Sequence, residues 1–223
     1  FRQEVVRKRL EFFFPVYFSK YLKYETAPFH KEIFGILEDE SNKLAVIVAF
    51  RGSAKSTIIT TAYVLWSILG KQQKKFIVIL GQTEQKARQY LMNIKAELEH
   101  NDLLKKDLGP FDEERNQWGA TALIVRKLNA KIMISSSEQS IRGMRHGEHR
   151  PDLIILDDVE DTASVKTQEG RDKAFDWFAG EVIPAGDRNT RIIAVGNLLH
   201  EDSLLKRLEQ RIVAGEVKGI YRE

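Results

Sequence analysis

Lys55-Ser56 closes the turn Ala49-Phe50-Arg51-Gly52-Ser53-Ala54, which directly follows the apolar run Leu44-Ala45-Val46-Ile47-Val48. A buried strand that feeds a lysine-bearing turn is the pattern of a nucleotide-phosphate cradle. Backbone N–H groups of such a loop surround the phosphates, the lysine neutralises β/γ oxygens, and the next hydroxyl reaches Mg²⁺. Lys55 and Ser56 fill those roles, and Arg51, Gly52, Ser53, Ala54 and Thr57 complete the loop. The usual pattern has glycine six positions and one position before the lysine. Here Ala49 and Ala54 stand there, which a cradle tolerates where its backbone avoids positive φ, and Gly52 remains available. Arg51, four positions before Lys55, is a candidate for sensing the γ-phosphate in cis.

The second half of the chemistry is acidic. Leu153-Ile154-Ile155-Leu156-Asp157-Asp158 is an apolar strand delivering two consecutive carboxylates to a sheet edge, followed closely by Glu160. Asp157 is placed to hold Mg²⁺, directly or through water. Either Asp158 or Glu160 could polarise an attacking water, and spacing does not choose between them. The same acidic turn could instead cap a helix N-terminus. Arg142 and Arg145 lie among glycines on the segment 135–147, just before that strand. They could reach a neighbour's phosphates, contact nucleic-acid phosphates, or be solvated. Asn197, after Val195-Gly196, is a polar strand tip that could report the γ-phosphate state.

These groups need a scaffold. Apolar runs at 44–48, 76–81, 153–156 and 191–196 predict buried strands, and 123–125 with 131–134 predict two more joined by Leu128-Asn129-Ala130. Helices are expected from Ser56 to about Leu69, ended by Gly70, and from Glu84 to about Glu99 with Thr83 as N-cap. Two more are expected over Lys31 to about Glu38 and about Gln168 to Glu181, while the polar stretch 101–120 reads as a loop or excursion. The aromatic residues Phe12, Phe13, Phe14, Tyr17, Phe18, Tyr21 and Tyr24 predict N-terminal helices that pack on the core. Strands alternating with helices indicate an α/β fold with a mostly parallel sheet covered on both sides, whose ligands sit at the carboxyl ends of the strands.

The chain has 223 residues, 43% of them apolar and 30% charged, with a net charge of +3 and no cysteine. That suffices for one large α/β core and excludes a disulfide scaffold or a cysteine-based metal site. The helix after Lys55 carries about a dozen apolar residues, short of the roughly 20 needed to cross a bilayer, so no membrane partner is expected. Neither end carries a targeting pattern, and the chain reads as a piece of a longer polypeptide.

Assembled, these elements resemble the ATPase domain of large terminase subunits, the DNA-packaging motors of tailed bacteriophages. The resemblance spans roughly Thr26 to Arg207. It rests on Phe-Arg-Gly-Ser-Ala-Lys-Ser at 50–56, Ile-Arg-Gly-Met-Arg at 141–145 and Leu-Ile-Ile-Leu-Asp-Asp-Val-Glu-Asp at 153–161. It implies a P-loop NTPase core of the additional-strand, RecA-like type that uses ATP and Mg²⁺. It also implies a ring that forms on the portal protein in the host cytoplasm, works with a small terminase subunit, and drives double-stranded DNA into a procapsid. Arg142 would be a finger supplied in trans, with Arg145 as the alternative, and Gly196-Asn197 the coupling element. Phe29 and His30 fall where the family places an adenine-contacting motif, with histidine in place of glutamine. The implied organisation is an N-terminal helical or lid segment at 1–40, the ATPase core at 41–199, and a helical segment, lid or linker at 200–223. The acidic cluster of the terminase nuclease has no counterpart after Gly196, so no cutting activity is expected. Two other readings compete: a superfamily-two helicase-like ATPase, and a nucleotide-gated DNA- or portal-binding module with little turnover.

Overall fold

The computed structural model describes residues 1–22, 25–111, 118–137 and 139–223; Tyr24, Glu138 and the middle of the expected 101–120 excursion lie outside them. Among the described residues seven strands form one sheet in the order β3-β4-β2-β5-β6-β1-β7. They are β1 (Leu44–Val48), β2 (Phe76–Gly81), β3 (Ala122–Val125), β4 (Ala130–Ser136), β5 (Leu153–Asp157), β6 (Arg191–Gly196) and β7 (Gly219–Arg222). All neighbours pair in parallel except the edge hairpin β3–β4, which turns at Asn129 in a left-handed conformation. The near-continuous apolar runs of β1, β2 and β5 are buried along almost their whole length, as strands covered on both faces require.

One face carries α1 (Arg2–Lys8), α2 (Leu10–Tyr17), α3 (Pro28–Glu38), α4 (Val64–Leu69), α5 (Glu84–His100) and α6 (Asp102–Leu108). Phe13, Phe14, Tyr17 and Phe18 are buried there as expected, whereas Phe12 and Tyr21 of the same stretch are exposed, 46% and 41%, because they fall on the outer side of these short helices. Arg191 at the start of β6 is 1% exposed and donates to the carbonyls of Ile36 and Leu37, the latter at 2.7 Å, pinning the end of α3 to the sheet. The other face carries α7 (Gln168–Trp177), α8 (Ile183–Ala185) and α9 (Leu204–Val213), with Phe178, Val182 and Leu208 in its core.

Four features differ from or refine the expectation. The polar stretch after residue 100 contains a helix, α6, because Asn101 accepts from the Leu104 N–H at 3.1 Å and Leu104 and Leu108 fall on one buried face. The helix after Lys55 is wide over Thr57–Tyr63, with a π-helical path, before it tightens into α4. Gly70 does cap α4, but with φ −95°; a Cβ there would lie 2.7 Å from the Trp66 carbonyl and 2.8 Å from that of Arg7. Crowding, not left-handed backbone, selects glycine. The segment 200–223, expected as a helical segment, lid or linker, supplies α9 and also β7, which extends the sheet beside β1.

Candidate functional site

Sheet register builds the site. Val48 lies beside Gly196, and Asp157 lies between Gly81 and Val195, so β1, β5 and β6 end on one line. The loop after β1, the acidic pair after β5 and Asn197 after β6 therefore converge without any long excursion, at the strand ends where open α/β sheets bind ligands.

Lys55 is 7% exposed, with its amine 3.3 Å from Asn197 Oδ1 and 3.7 Å from an Asp158 carboxylate oxygen. The Asn197 backbone N–H and side-chain amide donate to Asp158 Oδ1 at 3.2 and 3.3 Å. A Cβ on Gly196 would approach Asp158 Oδ1 to 3.2 Å and Leu205 to 3.1 Å, so glycine lets Asp158 and Asn197 come this close. Asp158 itself has φ +46°, in the left-handed region. A non-glycine residue held there marks a position the surroundings over-determine.

Asp157 is fully buried. Its Oδ1 accepts from the Ser56 hydroxyl at 3.2 Å and its Oδ2 from the Thr60 hydroxyl. Burial pushes the carboxyl up to about 6, opposed by the Thr60 hydrogen bond. Tyr90 on α5 lies near Asp157 and Asp158; burial, with the charge of those carboxylates, drives its hydroxyl well above the usual tyrosine range. Thr60 and Tyr90 escaped the sequence reading. Thr60 was detectable, since it lies four positions after Ser56 on the same helix; Tyr90 depended on how α5 docks. The Ser56 and Asp157 oxygens are hard donors suited to Mg²⁺, which keeps water and phosphate oxygens in its shell and needs few protein ligands. Among the described residues no group of three or more His, Asp or Glu could hold a metal by itself.

The loop suits a chain of oxyanions. Ser53 Oγ is buried with no hydrogen-bond partner, a polar group left over beside Lys55. Gly52 takes φ +83°, and Ala54 takes φ +60°, so the condition under which alanine is readily tolerated there, a backbone that avoids positive φ, is not met. The cradle keeps its glycine-type backbone and holds an alanine in it under strain. Thr57 begins the wide turn that continues the loop. A cavity of about 370 Å³ opens over these groups, lined by Arg51, Gly52, Lys55, Lys86, Asp158, Glu160, Asp161, Thr162, Asn197 and Leu199. Lys86, from the first turns of α5, is a third cation at this cavity, beside Arg51 and Lys55, and one that the sequence reading missed.

Glu160 reaches the same cavity, but both its oxygens accept from the Leu204 N–H at 3.0 Å, capping α9; burial raises its carboxyl. The acidic turn thus includes the helix cap that was the alternative reading, on a helix 44 positions downstream. Arg142 lies elsewhere. It donates to the Gly180 carbonyl and pairs with Glu181 at 3.0 Å, with 58% of its side chain exposed. Arg145 is exposed on the same loop. Neither lines the cavity over Lys55. Phe29 and His30 sit at the start of α3 against the loop, where His30 Nε2 lies 2.9 Å from the Ser53 carbonyl.

No known protein-family profile matches the chain, and no curated protein matches it. Solved structures do resemble it. The large terminase of bacteriophage HK97 superposes over 90% of this chain with a TM-score of 0.60 at 16% identity. The large terminase ATPase domain of Thermus phage P74-26 covers 80% of it with a TM-score of 0.52 at 15% identity. This chain corresponds to 39% of the length of the HK97 protein and to 67% of the P74-26 domain. The chain therefore has the fold of phage large terminase ATPase domains, a RecA-like P-loop α/β domain of the additional-strand type with a mostly parallel sheet.

Proposed function

We propose that this chain is an ATP-hydrolysing motor domain that drives double-stranded DNA into a viral procapsid. The observation that carries the proposal is the convergence of Lys55, Ser56, Asp157, Asp158 and Asn197 at one sheet edge. The likeness of fold to the HK97 and P74-26 large terminases supports it.

In this reading the 51–57 backbone and Lys55 hold the β- and γ-phosphates, and Ser56 and Asp157 hold Mg²⁺. Held there, Mg²⁺ would offset charge that develops on the γ-phosphoryl group. Asp158 polarises the attacking water, because it is the carboxylate beside the Lys55 amine. Glu160 is committed to the α9 N-terminus and acts on that helix. Asn197 senses the γ-phosphate by exchanging its contacts with Lys55 and Asp158, and Gly196 passes the change to α9 through Leu205. Thr60 fixes the orientation of Asp157 beside Tyr90, and Arg51 and Lys86 add positive charge around the γ end. Arg142, or Arg145 beside it, completes the neighbouring subunit's site in a ring on the portal protein, with a small terminase subunit as a further partner. The place of action is the host cytoplasm at the procapsid portal. Among the described residues no helix is long and apolar enough to cross a membrane.

Steady-state ATP hydrolysis over a wide range of protein concentration tests the proposal, with Lys55→Ala as the blank. Turnover per subunit that rises with concentration is expected. Turnover that stays flat above the blank removes the trans arginine, and none at any concentration with portal and DNA present removes the motor.

A further inference from the structure

The aromatic group beside the phosphate loop bears on which nucleotides the site accepts. The Ala27 backbone N–H donates to His30 Nδ1 at 3.2 Å, so Nδ1 is an acceptor; Nε2 faces the Ser53 carbonyl at 2.9 Å, so Nε2 carries the proton. Neither partner can change role, because a backbone N–H only donates and a carbonyl only accepts. Both ring nitrogens are therefore spent on tying the start of α3 to the loop, and none is left to read the edge of a base.

The rings themselves are available. Phe50, the residue that opens the loop, is 65% exposed. Phe29 packs on it with ring centroids 5.6 Å apart and on His30 at 3.9 Å. Phe50 therefore presents most of its ring to solvent directly beside the phosphate loop, held in place by a second ring. The Lys55 amine, at the end of the loop, lies beside Asp158 and Asn197, whereas Phe50, with Phe29 against it, stands at the start of the loop, five positions before Lys55 in the chain. A ring face stacks on any base and carries no hydrogen-bond code, so stacking is tolerant of base identity.

Resting on the phosphate-site reading above, we infer that Phe50, backed by Phe29, is the base platform of this site and that it takes purine nucleoside triphosphates by stacking, with no selection of adenine over guanine.

Calorimetric titration of the whole chain with ATP, GTP and inorganic tripolyphosphate, each with Mg²⁺, tests this. ATP and GTP should bind within about threefold of each other. Phe50→Ala should weaken both by about tenfold and leave tripolyphosphate unchanged, and Phe50→Trp should restore the purines. Phe50 is mostly exposed, so neither variant disturbs the core. A preference for ATP above about 30-fold, or a Phe50→Ala effect under about twofold, overturns the base platform. Tripolyphosphate binding that survives Lys55→Ala overturns the phosphate site instead, so the two failures are distinct.

Discussion

The strand-end cluster and the arginine loop are built in opposite ways. Lys55, Asp157, Asp158 and Asn197 stand on adjacent strand ends, largely buried, each held by at least one other member or by a hydroxyl from the same wide turn. Arg142 stands on a loop, more than half exposed, and its partners are a carbonyl and a carboxylate on the helical segment that follows α7. Sheet register fixes the first group within one chain. The second is presented outward on a loop and is tied to the segment after α7.

The sharpest test of that contrast is kinetic. Lys55→Ala and Asp157→Asn should each lower turnover by at least about 10²–10³-fold at every protein concentration, since buried electrostatic groups act within the chain. Arg142→Ala should remove only the part of turnover that rises with concentration. An equal loss in dilute protein would place Arg142 in the site of its own chain and dissolve the contrast.

Within the strand-end cluster, Asp158 and Glu160 separate by partner. Asp158→Asn should cost about 10²-fold in turnover, the lower end for a group that handles the proton of an attacking water. Glu160→Gln should retain most turnover while loosening α9, seen as faster amide exchange over 204–208. The reverse ranking would make Glu160 the water-polarising group.

A smaller effect tests the support beneath Asp157. Thr60→Val should raise the Mg²⁺ concentration needed for half-maximal turnover by about tenfold, and Thr60→Ser should recover it, because outer-shell partners of metal ligands typically tune affinity by 10–100-fold. An unchanged Mg²⁺ requirement would reduce Thr60 to packing.

The smallest expected change is a gain. Ala54→Gly places a residue without a Cβ at φ +60° and should stabilise the fold by about 1 kcal/mol in denaturant titration. A loss would mean that the alanine methyl packs well enough to offset its backbone strain. Ala54 is partly buried against the core that also holds Ile58, so both terms are present at this position.

Local chemistry made much of this molecule legible. The runs at 44–48, 76–81, 153–156 and 191–196 read as buried strands because each is short, almost wholly apolar, rich in β-branched residues and bounded by turn residues, with Arg191 the polar exception. A lysine and a hydroxyl after one of them, and two carboxylates after another, named most of the site. α6 was hidden because its helical signal is a cap and two leucines inside a polar stretch, and β7 because a short half-buried strand has no periodicity of its own. The sequence alone determined which residue types stand at strand ends and what chemistry they share. Only the tertiary structure decided that Asp158 and not Glu160 lies beside Lys55, that His30 is consumed by the loop, that Thr60 and Tyr90 lie beside Asp157, and that Ala54 is left-handed. Those outcomes depend on strand order, register and helix docking, which arise from contacts between residues far apart in the chain and leave no mark at any single position.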